Sequence, residues 1–412
     1  PSTTPREAPV DLSAPPPRPP PGATPPPSSC RGQRYLSPIA RPFSQAPGEA
    51  LPSVSTSTSE FSNALHSEAL SARTALAASP SLDAFIKSRQ QQTFQAPLPG
   101  THPAAALLRT YASNGFPADV GPAWSMDTIR AAVANGPHAS TLKPEATAFC
   151  RADLLARVRR GFSIILTLED ALAHFATRLR ISRLASVDQP NRQPRLICDS
   201  SAAPTDSTPS VNATTVQSSN PNAIQFGSCL ARIVQQIWEA DPAEGPVLLS
   251  KWDVSDAFPR CPLRPSDVGA FAYVVPPIAD DPCTLLCIDL VLPMGWVNSP
   301  DLFCATSETV TDLANKAFHS NFNPAPPYHP TAGLYQASSS PSAGPNRLQY
   351  ADVYMDDINC LAQGDEQQQR RVTEIVLQKL KSVYPTVDGE LKDSISLKKA
   401  KAGDGDWNVS KD

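Results

Sequence analysis

The sequence predicts an α+β fold, an antiparallel sheet backed by helices. Apolar runs of strand length flank polar turns at residues 182–199, 270–292 and 348–362. Between them, apolar residues recur at helical spacing: Phe226, Leu230, Ile233 and Ile237 fall on one helical face. Hydrophobic residues make up 41% of the 412 residues, enough for a sizeable core.

The elements follow in chain order. Twelve of the first 30 residues are proline, including PPPRPPPGATPPP. Residues 1–60 therefore read as a disordered, extended segment that cannot bury a core and could serve a proline-recognising partner. Residues 61–150 read as a helical region, with an apolar patch at Leu107, Leu108 and Tyr111 and helical stretches over 128–134 and 146–158. No chemistry is visible there.

A body spanning residues 151–412 comes next. Its first part, 151–195, holds nine arginines and four acids, a local excess of +5 in a chain of net charge −4. Such a run is either a solvated helix face or the footprint of a nucleic acid. A hairpin is expected near Arg183–Val187 and Arg195–Asp199, joined by DQPNRQP, and then a polar loop over 200–222. A helix is expected from Ile224 to Ala240. GPVLLSKWDV reads as a buried strand ended by SDAF, and a strand pair covers Ala270–Val275 and Thr284–Leu292. Ser299 and Pro300 are suited to start a helix through Phe303, Val310, Leu313 and Ala317. Residues 318–346, with NPAPPYHP and SSSPSAGP, interrupt the pattern as a loop insert. LQYADVYMDDINCLA then reads as two short strands around a polar tip. A helix follows from Asp365 to Val383, with Val372, Val376, Leu380 and Val383 inward.

Several classes are disfavoured. No apolar run approaches the roughly 18 residues of a membrane span, so no membrane partner is expected. Nine cysteines occur without a C-x-x-C pair, which argues against zinc and for a reducing, intracellular compartment. The sequence opens on Pro1 without a signal peptide and reads as a piece of a longer protein.

Three segments carry chemistry. KWDVSDAF (Lys251–Phe258) delivers Asp253 at the end of a strand, with Asp256 a turn later. LPMGWVNSP (Leu292–Pro300) is a glycine-bearing turn that opens a helix. YMDD (Tyr354–Asp357) sets two adjacent carboxylates at a hairpin tip. Adjacent carboxylates repel, and a semi-buried pair calls for a cation. Magnesium takes oxygen ligands, commonly one or two carboxylates plus phosphates. A third carboxylate from a neighbouring strand would let two ions, about 3.5–4 Å apart, serve an in-line phosphoryl displacement. A lone Asp-Asp pair is ordinary; the three segments in this order are not.

Together these segments resemble motifs A, B and C of the reverse transcriptases of retroviruses and long-terminal-repeat retrotransposons. RLICD resembles the fingers strand of that family, and SLKKAKAGDGDW its motif D. The resemblance implies a right-hand polymerase with fingers and palm over residues 151–412, cut before the primer grip and thumb. It implies an RNA-directed DNA polymerase from a retroelement polyprotein. The substrates would be a primed RNA or DNA template and deoxynucleoside triphosphates, with two Mg2+ ions, or Mn2+, as cofactors.

The resemblance also implies roles for single residues. Asp253, Asp356 and Asp357 would be the catalytic metal ligands, with the Val254 carbonyl a further ligand. Arg195 would clamp the triphosphate, and the backbone at Asp256 and Ala257 would face it. Phe258 falls at the gate that excludes a ribose 2′-hydroxyl, the lesser alternative being a core side chain at a strand end. Gly295 would let the backbone approach the nucleotide pair, beside Met294, where the family often has Gln; Trp296 would pack behind. Tyr354 and Met355 would touch the primer end. Lys398, Lys399 and Lys401 are candidates for protonating the leaving pyrophosphate, with Lys399 preferred. Phe258 and YMDD favour a DNA over an RNA polymerase. The rival from another class is a non-catalytic retroelement remnant that binds nucleic acid or protein through its basic stretch and proline-rich arm. A calcium loop lacks the EF-hand ligand spacing.

Overall fold

The computed structural model describes residues 58–189, 192–216, 226–279, 281–319, 347–385 and 397–399. The proline-rich stretch 1–57, most of the 318–346 insert and Lys401 lie outside these. The helices are α1 (Thr58–Ala78), α2 (Leu82–Arg89), α3 (Ala105–Asn114), α4 (Met126–Asn135), α5 (Pro144–Arg159), α6 (Leu168–Phe175), α7 (Val211–Thr214), α8 (Phe226–Glu239), α9 (Ser299–Phe318) and α10 (Glu366–Val383). The strands are β1 (Ser163–Thr167), β2 (Ile181–Gln189), β3 (Arg192–Asp199), β4 (Val247–Val254), β5 (Ala272–Val274), β6 (Leu285–Asp289), β7 (Gln349–Tyr354), β8 (Asp357–Gln363) and β9 (Leu397–Lys399). Among the described residues, no helix is long and apolar enough to cross a membrane.

The fold is α+β, with two sheets where the sequence suggested one. A five-stranded sheet runs β1-β6-β5-β2-β3, and a four-stranded sheet runs β7-β8-β4-β9. Pairing is antiparallel except between β2 and β5, which run parallel at Ile181–Ala272 and Ser182–Tyr273. The largest core cluster joins both sheets to the preceding helices. Leu108, Phe116 and Ile129 share it with Phe271, Ile288, Ile358 and Val376. Helix α10 buries Val372, Val376, Leu380 and Val383, at the spacing the sequence showed, and Asp365 caps it by accepting from the Gln368 N–H.

Four expectations need correction. Helix α8 turns Cys229 and Ile233 inward against Tyr350 and Leu361, while Leu230 faces out at 39% exposed. A spacing pattern finds a helix but does not say which edge of the apolar arc the sheet covers. Strand β4 is half-buried from Val247 to Asp253 and fully buried only at Val254. Ser299 does not cap α9; its hydroxyl donates to the Pro293 carbonyl (2.7 Å) and braces the preceding turn. Of the apolar patch 107–111, Leu108 and Tyr111 are buried and Leu107 is 48% exposed.

The arginine run divides: Arg159, Arg178 and Arg195 are exposed, while others turn inward. Arg151 is buried and bonds Asp281 (2.9 Å) and the Pro276 carbonyl (2.7 Å). Arg157 meets Asp289 at 2.9 Å, and Arg180 donates to the carbonyls of Thr177 and Pro122, each at 2.7 Å. Much of the local positive charge is therefore spent on internal carboxylates and carbonyls.

Candidate metal centre

The centre is built on the four-stranded sheet. In the antiparallel β4–β8 register, Asp253 stands directly opposite Asp357, so their side chains leave the same face as neighbours. Strands β7 and β8 close through Met355 and Asp356, with Tyr354 paired to Asp357. Favoured two-residue hairpin loops require a positive φ at the first loop position. Met355 supplies it at φ 60°, without the freedom of glycine. The Val254 N–H donates to the Asp356 carbonyl at 3.1 Å, tying the tip to the end of β4.

These constraints bring one carboxylate oxygen each from Asp253, Asp356 and Asp357 to within 4.8 Å of one another, all half-buried. Three oxygen donors at that spacing suit a hard divalent cation. Burial, and next its neighbour Asp357, push the Asp356 carboxyl above the ordinary carboxylate range. Its own backbone N–H, Arg195 and Lys251 oppose the rise. Lys251 Nζ stands 2.8 Å from Asp357 Oδ2.

The hairpin is held from behind. Arg232 on α8 donates to both oxygens of buried Asp352 through Nε and Nη2, each at 2.8 Å, and the Tyr350 hydroxyl adds a third bond at 2.8 Å. Asn315 on α9 pairs with the backbone of Ala351 in both directions, each bond 2.9 Å. A two-pronged clamp on each side fixes the strand that carries the tip.

Around the carboxylates, the other expected residues divide. Asp256 follows β4 at φ 51°. Its carboxylate is bound by Arg160 at the end of α5 and lies 3.8 Å from Arg260. Ala257 is nearly buried. Phe258 is half-buried and meets Phe303 edge-on, ring centroids 5.4 Å apart. Two of the three non-glycine residues with positive φ among the described residues, Asp256 and Met355, thus flank the carboxylates, and backbone strain of this kind gathers at functional sites. Arg195, exposed on β3, is close enough to lower the Asp356 pKa.

The glycine-bearing turn lies against the end of β3. Gly295 has φ 110°, and a Cβ there would fall 2.1 Å from the Cys198 carbonyl oxygen. Trp296 is buried, 5.0 Å from the Phe271 ring, and donates from Nε1 to Thr215 Oγ1 at 2.9 Å. Met294 is half-buried and Tyr354 is 43% exposed. The β9 backbone pairs Lys398, not Lys399, with Asp253; Lys399 pairs with Trp252. The side chains of β9 lie outside the described residues.

Three residues at or near this site escaped the sequence reading. Lys251 precedes Asp253 by two positions, so strand alternation alone places it on the same face. Arg160 and Asn212 gave no signal, being 96 and 85 residues from the partners they bind, Asp256 and Val297.

No curated protein matches the chain significantly. Residues 207–401 match the family model of reverse transcriptase (RNA-dependent DNA polymerase), a span that runs from before α7 through β9 and includes all three carboxylates; the chain carries a reverse transcriptase domain, of the RNA-directed DNA polymerase class.

Proposed function

We propose that this chain is the fingers and palm of a retroelement reverse transcriptase that extends a primer on an RNA or DNA template by two-metal nucleotidyl transfer. The observation that carries the reading is the convergence of the three carboxylate oxygens, from the end of β4 and the β7–β8 tip about a hundred residues later, within 4.8 Å.

Asp253, Asp356 and Asp357, with the Val254 carbonyl, would hold two magnesium ions, manganese being the alternative. Bound there, the ions supply Lewis-acid activation of the primer 3′-hydroxyl and charge stabilisation for the pyrophosphate leaving group. The chain's own residues do the rest. Arg195 contributes a guanidinium fork that suits phosphate oxygens. The backbone at Asp256 and Ala257 faces the triphosphate, held in place by the Arg160 ion pair on the Asp256 carboxylate. The Phe258 ring, braced by Phe303, fills the space a ribose 2′-hydroxyl would need. Gly295, with Met294 beside it and Trp296 buried behind, presents bare backbone to the nascent base pair. Tyr354 and Met355 meet the primer end. Lys398 or Lys399 protonates the departing pyrophosphate.

The test is extension of a primed RNA template with deoxynucleotides and magnesium. The wild-type chain incorporates nucleotides, and Asp356→Asn abolishes incorporation while binding the primer–template as before. A wild-type chain that binds the duplex but never extends it would instead support the remnant reading.

A further inference from the structure

Asn212 lies on α7, in the polar stretch between the hairpin β2–β3 and α8. Its side-chain amide binds the glycine-bearing turn at two points. Nδ2 donates to the Gly295 carbonyl and Oδ1 accepts from the Val297 N–H, each at 2.9 Å. Nδ2 also donates to Ser201 Oγ at 2.9 Å, just beyond β3. The partners fix the orientation of the amide: a carbonyl can only accept and a backbone N–H can only donate. Only a side chain with both a donor and an acceptor at this reach completes the pairing.

The clamp is backed by its neighbours. The Asn212 N–H donates to the Ser200 carbonyl at 2.9 Å. Thr215 accepts from Trp296, and the Asn298 side chain donates to the Val216 carbonyl at 2.9 Å. The turn at Gly295, with φ 110° and the Cys198 carbonyl pressed against it, is thus tied through Asn212 to Ser201, just beyond β3.

We propose that Asn212 is a positioning residue for the incoming nucleotide. By joining the residues just after β3, the strand on which Arg195 lies four positions before the last, to the Gly295 turn, it ties the triphosphate clamp's strand to the surface that meets the base pair. The proposal rests on the reading of that turn as nucleotide-facing. Asn212 itself touches neither metal ligand nor reacting atom, so its loss acts on nucleotide binding rather than on the chemical step.

The experiment is steady-state primer extension by the full chain with Asn212→Ala, Asn212→Asp and Ser201→Ala, alongside amide hydrogen exchange at Val297. Asn212→Ala is expected to raise the KM for deoxynucleotide about tenfold, the equivalent of one or two hydrogen bonds. Its kcat and its affinity for primer–template stay near wild type. Asn212→Asp sets a carboxylate against the Gly295 carbonyl and does worse than alanine. Ser201→Ala loses one bond and does less. Faster exchange at Val297 accompanies the KM effect. Loss of Val297 protection with an unchanged KM overturns the proposal and leaves the polymerase reading standing. A wild-type chain that incorporates no nucleotide overturns both. Asn212→Ser, which keeps one polar group, supplies the same comparison if the alanine variant does not fold.

Discussion

Lys251 and Asp357 form an ion pair across neighbouring strands, Nζ to Oδ2 at 2.8 Å, with Asp253 lying on β4 between Lys251 and the hairpin tip. Like charges directly opposite on a sheet are destabilising. The opposed pair Asp253 and Asp357, with Asp356 beside them, therefore needs positive charge before any cation arrives. Lys251 supplies part of it. Lys251→Met keeps the stem and removes the charge. In a chelating buffer its melting temperature should fall by roughly 2–4 °C, the scale of one partly exposed ion pair. Magnesium should restore more stability to the variant than to the wild type, because the cation replaces the missing charge. Paired melting curves with and without magnesium check this; an equal effect of magnesium on both chains counts against it.

Asp356 gives a pH dependence of definite sign. Its carboxyl is raised by burial and by Asp357, so the folded chain takes up this proton more readily than the unfolded chain. Without metal, the charged Asp356 costs stability, a cost that is absent at low pH and sets in as pH rises through the raised value. Asp356→Asn removes that cost. In chelator at neutral pH the variant should melt above the wild type, and the difference should shrink as pH falls toward the ordinary carboxylate value of about 3.9. Melting curves across that range decide it. The variant that is dead as a polymerase is thus expected to be the more stable protein.

Much of this site was legible because its parts are local. YMDD announces its hairpin through flanking alternation, and Asp253 sits at the end of an apolar run, so each carboxylate could be placed without a structure. Helix α10 was found with its inward valines because its apolar stripe is narrow. Helix α8 was read with Leu230 inward because its apolar residues cover more than one face. The supports were not legible. Arg160, Arg232 and Asn212 act on partners 96, 120 and 85 residues away, and nothing in their immediate neighbours marks them. The inward partners of Arg151 and Arg157 were hidden for the same reason, since Asp281 and Asp289 lie beyond residue 280.

Gly295 is a position where no other residue fits. A Cβ would meet the Cys198 oxygen at 2.1 Å, and φ 110° is a strained region for any L side chain. Gly295→Ala should cost about 2–4 kcal/mol, combining backbone strain with overpacking. Urea unfolding measures it, and a cost under about 0.5 kcal/mol, the range of neutral surface changes, would show that the turn can yield.

Phe258 packs on Phe303 in the turn after β4, five residues beyond Asp253. Phe258→Ala opens space beside the proposed sugar position. The preference for deoxy- over ribonucleotides, taken as a ratio of kcat/KM values, should drop roughly 10- to 100-fold. A variant that loses stability but keeps the ratio would make this ring a core residue only.

The most direct test of the cation cradle is manganese binding followed by electron paramagnetic resonance, with primer–template and deoxynucleotide present. Two bound ions, magnetically coupled through shared carboxylates, are the predicted result, and Asp253→Asn should weaken both. Binding that is unchanged in Asp253→Asn, or no binding above that of a duplex alone, would contradict it.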